Sequence, residues 1–224
     1  MAHRNIGYRF ENDWTEKQLR DIHDTVTSAM TVPVNVTLSV KQKVIDMGRM
    51  EKLLRDAKLI VLQVCYCRKK RRNCKAPLET CILLDDLAES TLKDNEGDAR
   101  KVSLEEALDA MRKSHEAGLV HMAYITEGNE KINPICSCCS CCCHILSGIV
   151  RFGLDKDFIS SDFVTETIIK KCAHCGACAD KCHFGARKME KSKLSFEKEK
   201  CIGCGLCLEV CPTHAIELKS VPAQ

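Results

Sequence analysis

Apolar residues in the first 150 positions follow two spacings, and the switches between them mark the elements. Thr15 to Gln18, TEKQ, has the spacing of a capping box. It opens a run with Leu19, Ile22, Val26 and Met30 on one face, which predicts a helix over about 15–30 that Pro33 ends. Ser39 is placed to cap a second helix carrying Val40, Val44, Met47 and Leu54. The unbroken apolar run from Leu59 to Val64 predicts a buried strand that delivers the chain into Cys65 and Cys67. Ser103 to Glu106, SLEE, repeats the capping-box spacing ahead of Leu104, Ala107, Leu108 and Met111, one face of a helix that Gly118 can terminate. Lys93 to Lys101, KDNEGDARK, is polar and glycine-interrupted and reads as a surface loop.

After Phe152 this pattern gives way. The stretch FGLDKDFISS, 152–161, separates a cysteine-dense segment from a repeat, which places a domain border at about 160. Residues 1–160 then form a mixed α/β cysteine-rich domain, and 161–224 a second, smaller one. In the repeat, Cys172, Cys175, Cys178 and Cys182 are spaced C-x2-C-x2-C-x3-C, and Cys201, Cys204, Cys207 and Cys211 repeat that spacing 29 residues later. Both units place a glycine between the second and third cysteines, Gly176 and Gly205, where the backbone must curl closely around a bound core.

Eighteen cysteines in 224 residues approach the density of a disulfide scaffold. A chain of this length, however, buries a core without covalent staples. Its start, MAHRNIGYRFENDW, has no apolar leader segment, and LIVLQVC, Leu59 to Cys65, is far too short to cross a bilayer. The expectation is a soluble protein of the reducing cytoplasm, with the sulfur used for metal. The formal charge of +3 counts every cysteine as a neutral thiol; eight thiolates around two cores of +2 would bring it to about −1. The run Arg68 to Arg72, RKKRR, reads as a solvated surface turn beside a thiolate-rich site, and the few aromatics give base stacking little support, so no nucleic-acid partner is expected.

Four soft thiolates converging on one small core suit a 4Fe-4S cubane, and three of them fit a single loop when two residues separate each pair. Residues 170–218 resemble a two-cluster bacterial-type ferredoxin. The resemblance implies a ferredoxin-like (βαβ)2 unit behind the mixed front domain, an α+β chain overall, and a crossed ligand pattern. One 4Fe-4S cluster would use Cys172, Cys175, Cys178 and Cys211, and the other Cys201, Cys204, Cys207 and Cys182. It also implies low-potential one-electron transfer. One departure stands out: Pro212 follows Cys211 as in the family, but His183 follows Cys182, which could loosen that turn or shift the adjoining potential. His174 and His214 read as surface residues or as neighbours of the ligands.

Ten cysteines remain. Cys65, Cys67, Cys74 and Cys81 follow the predicted strand as C-x-C-x6-C-x6-C, a quartet able to hold a third iron-sulfur cluster or a structural zinc. The segment ICSCCSCCCH adds Cys136, Cys138, Cys139, Cys141, Cys142 and Cys143, with His144 behind them. Six in eight positions cannot all point into one core from a helix or a strand, which leaves metal. They could join Cys65 to Cys81 around one site larger than a cubane, or supply a second quartet. His144 reads as no ligand. This half resembles the cysteine-rich region fused ahead of dicluster ferredoxin domains in proteins of strict anaerobes, some of which accompany corrinoid-dependent methyl transfer or other low-potential redox complexes.

The expected function is therefore electron transfer, with the front domain docking on a redox or corrinoid methyltransferase complex. Two alternatives stay open: a reductase or reactivase acting on a disulfide or a corrinoid through a front cluster, and an oxygen-responsive regulatory binding protein. The chain reads more as a carrier than as a stand-alone enzyme. No H-E-x-x-H, Walker loop, nucleotide-binding glycine fingerprint or Ser-His-Asp signature is present, which weighs against hydrolases, NTPases and NAD(P)-linked reductases.

Overall fold

Thr15 and Gln18 cap one another as the spacing predicts: the Gln18 amide donates to Thr15 Oγ1 (3.2 Å) and the Thr15 amide to Gln18 Oε1 (3.0 Å). The helix they open, α1 (Glu16–His23), is shorter than the periodicity suggested, and the chain turns into strand β1 (Val26–Thr31). The strand finds its partner further along the chain, in β5. The computed structural model describes residues 5–23, 26–31, 45–95, 98–126, 132–154, 159–161 and 163–220. Pro33, Ser39, Val40 and Val44 of the expected helix boundary and second helix lie outside them.

The elements follow as α2 (Ile45–Asp56), β2 (Ile60–Val64), α3 (Tyr66–Arg71), β3 (Glu79–Leu84), α4 (Asp85–Lys93), β4 (Arg100–Lys101), α5 (Leu104–Glu116), β5 (Val120–Thr126), β6 (Ile135–Cys138), α6 (His144–Phe152) and β7 (Ile159–Ser160). The strand at Leu59 to Val64 is present as β2. The Ser103–Glu106 capping box is complete, with α5 ending ahead of Gly118 at φ +74°. The expected loop at Lys93–Lys101 ends in a strand: Arg100 and Lys101 form a short charged edge strand on β2, and Arg100 pairs with Glu79 and Glu106.

Seven strands make one sheet in the order β4-β2-β3-β6-β5-β1-β7, antiparallel except for β1 beside β7. Because strand side chains alternate, Ile82 and Ile135 join Met50, Leu54 and Met111 of α2 and α5 in the core on one face. Cys81, Cys136 and Cys138 then fall on the other face, with Cys81 directly opposite Cys136.

The remaining elements are β8 (Phe163–Thr167), α7 (Ala177–Lys181), β9 (Arg187–Glu190), β10 (Lys193–Phe196), α8 (Leu206–Glu209) and β11 (Ile216–Ser220). β8 pairs with β11 and β9 with β10, both antiparallel, and one short helix lies between β8 and β9 and the other between β10 and β11. The chain is thus a mixed α/β structure with antiparallel sheets. No helix among the described residues is long and apolar enough to cross a membrane.

A buried ion pair clamps the segment before α1 onto the cysteine-dense turn. Arg151, fully buried on α6, pairs with Asp13 through both terminal nitrogens, and its Nε donates to the Ser140 carbonyl (3.0 Å). Next to it, Trp14 Nε1 donates to the Cys142 carbonyl (2.8 Å), and the Arg71 guanidinium stacks on the indole ring. Burial alone would raise the Asp13 carboxyl pKa. Hydrogen bonds from Arg151 and from the Phe10 and Trp14 amides outweigh burial and hold it below its ordinary 3.8. Asp13→Ala should cost roughly 3–5 kcal/mol in denaturant unfolding at pH 7, because it leaves a buried guanidinium unpaired. The parent's share of that stability is fully present above the unfolded pKa and lost as pH falls through the depressed folded value, so the difference between parent and variant should shrink in strong acid.

Candidate metal centres

The repeat in the tail uses its glycines as expected. Gly176 and Gly205 sit at φ +82° and +79°, immediately ahead of α7 and α8, a backbone region that a side chain would strain. Each turn folds three cysteines inward. One cavity is lined by Cys172, Cys175, Cys178 and Cys211, and a second by Cys182, Cys201, Cys204 and Cys207. Each set combines three cysteines of one unit with the last cysteine of the other. These donors are all soft thiolates facing a shared space, which suits an iron-sulfur core.

Arg187 stands between the two sets. It is buried, donates to Thr167 Oγ1 (2.6 Å) and Thr165 Oγ1 (2.9 Å), and lies over the Phe196 ring. Its charge faces Cys178 of one cavity and Cys207 of the other. Burial pushes both thiols up, and the guanidinium opposes that rise. His174 Nδ1 accepts the Leu194 amide (3.0 Å) and lies 3.8 Å from Cys172 Sγ, a neighbour of a candidate ligand.

The ten cysteines between 65 and 143 divide in a way that linear spacing does not suggest. Cys65, Cys67, Cys74 and Cys81 do not form one set. Cys74 leaves the others and joins Cys139, Cys141 and Cys142, all four sulfurs lying within 4.8 Å of one another. The turn that does this is tight: the Cys143 amide donates to the Cys139 carbonyl (3.0 Å), so Cys139, Cys141 and Cys142 converge while β6 ends.

The other six sulfurs close a ring. Cys65 interacts electrostatically with Cys67 and Cys81, Cys81 with Cys136, Cys136 with Cys138, and Cys138 with Cys143, which in turn is acted on by Cys67. Donation by Cys67 and Cys81 lowers the Cys65 pKa, and donation by Cys136 and Cys143 lowers that of Cys138. Two groups border the ring that sequence reasoning passed over or set aside. The Tyr124 hydroxyl is 3.7 Å from Cys138 Sγ, and His144 Nδ1 is 3.1 Å from Cys67 Sγ. Tyr124 lies on β5 opposite β6, a pairing invisible until register is known.

The basic run is not the solvated turn it resembled. In α3, Arg68 and Arg71 are buried at 1% and 6% exposure, while Lys69, Lys70 and Arg72 face solvent, as a three-residue helical spacing requires. Arg68 donates to the Pro77 and Ser137 carbonyls (2.5 and 2.9 Å) and to Thr80 Oγ1 (3.0 Å), and no carboxylate pairs with it among the described residues. The negative groups facing it are Cys139 of the quartet and Cys65 and Cys138 of the ring. One cation thus serves both front sites, as Arg187 serves both cavities in the tail.

His183, where the resemblance would place a proline, is a junction. It is 9% exposed; its Nε2 lies 2.8 Å from the Gly118 carbonyl and its Nδ1 3.0 Å from Ser140 Oγ. The carbonyl acceptor puts the proton on Nε2, so Nδ1 accepts from the Ser140 hydroxyl. The residue after Cys182 is thereby tied to the residue between Cys139 and Cys141. Leu206 packs in the same cluster as Cys138, Cys143 and Leu146, with Phe184 and Cys204 against it.

Residues 194–217 match the family model described as a 4Fe-4S binding domain, a stretch that holds Cys201, Cys204, Cys207 and Cys211. No curated protein matches the chain. The chain contains a 4Fe-4S binding domain and is an iron-sulfur protein.

Two outcomes are expected. Arg187→Met removes a positive charge facing both cavities and should lower the midpoint potentials by tens of millivolts in anaerobic spectroelectrochemistry. His183→Pro should keep the iron content of the parent yet raise amide exchange at Gly118 and Ser140, since it restores the family's turn residue and deletes both cross-links.

Proposed function

We propose that this chain is a one-electron carrier whose tail holds two 4Fe-4S clusters, one on Cys172, Cys175, Cys178 and Cys211 and the other on Cys182, Cys201, Cys204 and Cys207. Its front domain docks on a larger redox or corrinoid methyl-transfer complex of an anaerobic cell. The observation that carries this reading is the pair of cavities, each lined by one complete crossed set of four cysteines. Cys175 is exposed, which brings the first set close to solvent and to an external donor, whereas no cysteine of the second set is exposed. When bound, the clusters supply reversible single-electron chemistry. The protein's own part is to hold the eight sulfurs and to set the buried Arg187 charge beside both sets.

A second reading gains support from one contact. Cys204 of the tail packs on the apolar cluster that contains Cys138 and Cys143 of the six-sulfur ring. This puts the ring in series with the tail, as a reductase acting through a front cluster would need, and the adjacent His144 and Tyr124 could serve as proton donors there.

Iron and acid-labile sulfide in anoxically purified protein test both readings. About eight of each support two cubanes and the carrier role, and a clear excess places iron in the ring as well. Replacing Cys204 and Cys207 together by alanine should remove about four irons and leave the other cluster reducible. Loss of all iron, or of none, counts against two separate crossed sets.

A further inference from the structure

The four sulfurs of Cys74, Cys139, Cys141 and Cys142 are packed more tightly than any cubane allows. A 4Fe-4S core interposes eight atoms and holds its cysteines well apart. A single ion with sulfur at about 2.3 Å in a tetrahedron places them about 3.8 Å from one another. Three of the six separations are 3.8 Å for Cys74–Cys139, 4.0 Å for Cys74–Cys142 and 3.9 Å for Cys141–Cys142, and all six lie within 4.8 Å. Among the described residues, no other group of three or more candidate ligands meets the 4.8 Å limit these four satisfy, the two tail sets included. The contrast lies within one molecule: the tail sets are spread more widely, and this one is closed.

We infer that Cys74, Cys139, Cys141 and Cys142 bind one Zn2+ ion as a closed structural site. Four thiols and one ion give a tetrathiolate of charge −2 with release of four protons, so the site needs a nearby cation. Arg68 supplies it: fully buried, free of any carboxylate partner among the described residues, and facing Cys139. The ligand carbonyls are also fixed. Trp14 Nε1 holds that of Cys142 and Asn73 Nδ2 that of Cys141, both at 2.8 Å. Cys139, Cys141 and Cys142 are buried and Cys74 half-buried, at the edge of a surface groove of about 950 Å³ that gives the ion an entry path. Four protein ligands leave no open position, which is the mark of a structural rather than a catalytic zinc. The ion would lock the turn whose far side, Ser140, receives His183 from the tail.

This assignment does not rest on the tail clusters, because zinc reports on the quartet while iron and sulfide report on the tail. The full chain, purified anoxically from cells supplied with both metals, should contain one zinc per chain. Zinc X-ray absorption should show four sulfurs at about 2.3 Å. Cys74→Ala, a change at the half-buried ligand, should lower zinc at least fivefold with iron unchanged, and Cys136→Ala in the ring should leave zinc in place. A parent without zinc, a shell containing nitrogen or oxygen, or loss of iron in place of zinc from Cys74→Ala would overturn the proposal. The X-ray measurement needs no variant and so stands even if Cys74→Ala fails to fold.

Discussion

Sulfur anions drawn out of water repel one another, and this molecule is organised by how that repulsion is met. All eighteen cysteines fall into four groups: two crossed sets in the tail, a tight quartet and a six-membered ring in the front. Bound metal is one source of positive charge. The chain itself supplies another in the same form twice, a buried arginine with no carboxylate partner among the described residues, Arg187 between the tail sets and Arg68 between the front ones. A buried guanidinium without a carboxylate is costly unless negative charge is brought near it, which thiolate ligands around a bound metal would supply.

The front and tail are joined beside their sulfur groups. Cys182 precedes His183, His183 is bonded to Ser140, and Ser140 separates two cysteines of the tight quartet. Arg151 holds the Ser140 carbonyl from the other side and is in turn held by Asp13. A continuous polar path therefore runs from the segment before α1 through the cysteine turn into the tail. Beside it, Leu206, Phe184 and Cys204 pack against Cys138 and Cys143. The polar path fixes orientation, and the apolar contact keeps the ring and the second tail set in one dry region.

How much of this was legible depended on whether the cause was local. The capping boxes at Thr15–Gln18 and Ser103–Glu106, strand β2 and the need for glycine at 176 and 205 all rest on neighbouring residues, and each is present. The crossed grouping of the tail cysteines came from resemblance, and the cavities have those linings. What stayed hidden is non-local. Helix α1 gives way to β1 because a partner strand lies some hundred residues away. The transfer of Cys74 out of the Cys65–Cys67–Cys81 set needs the β6 turn folded against it, and spacing alone grouped it with the wrong neighbours. Arg68 and Arg71 looked like surface charge because nothing in RKKRR says which face of α3 is covered. His183 looked like a defect because its two partners, Gly118 and Ser140, lie more than forty residues away in the sequence.

The central claim is that these sulfurs hold inorganic cores, and native mass spectrometry of the anoxically purified full chain tests it most directly. The account predicts a mass above that of the polypeptide by at least two 4Fe-4S cores and one zinc, with the cores lost together with colour on exposure to air. A species at the bare polypeptide mass, or one carrying zinc alone, would contradict it.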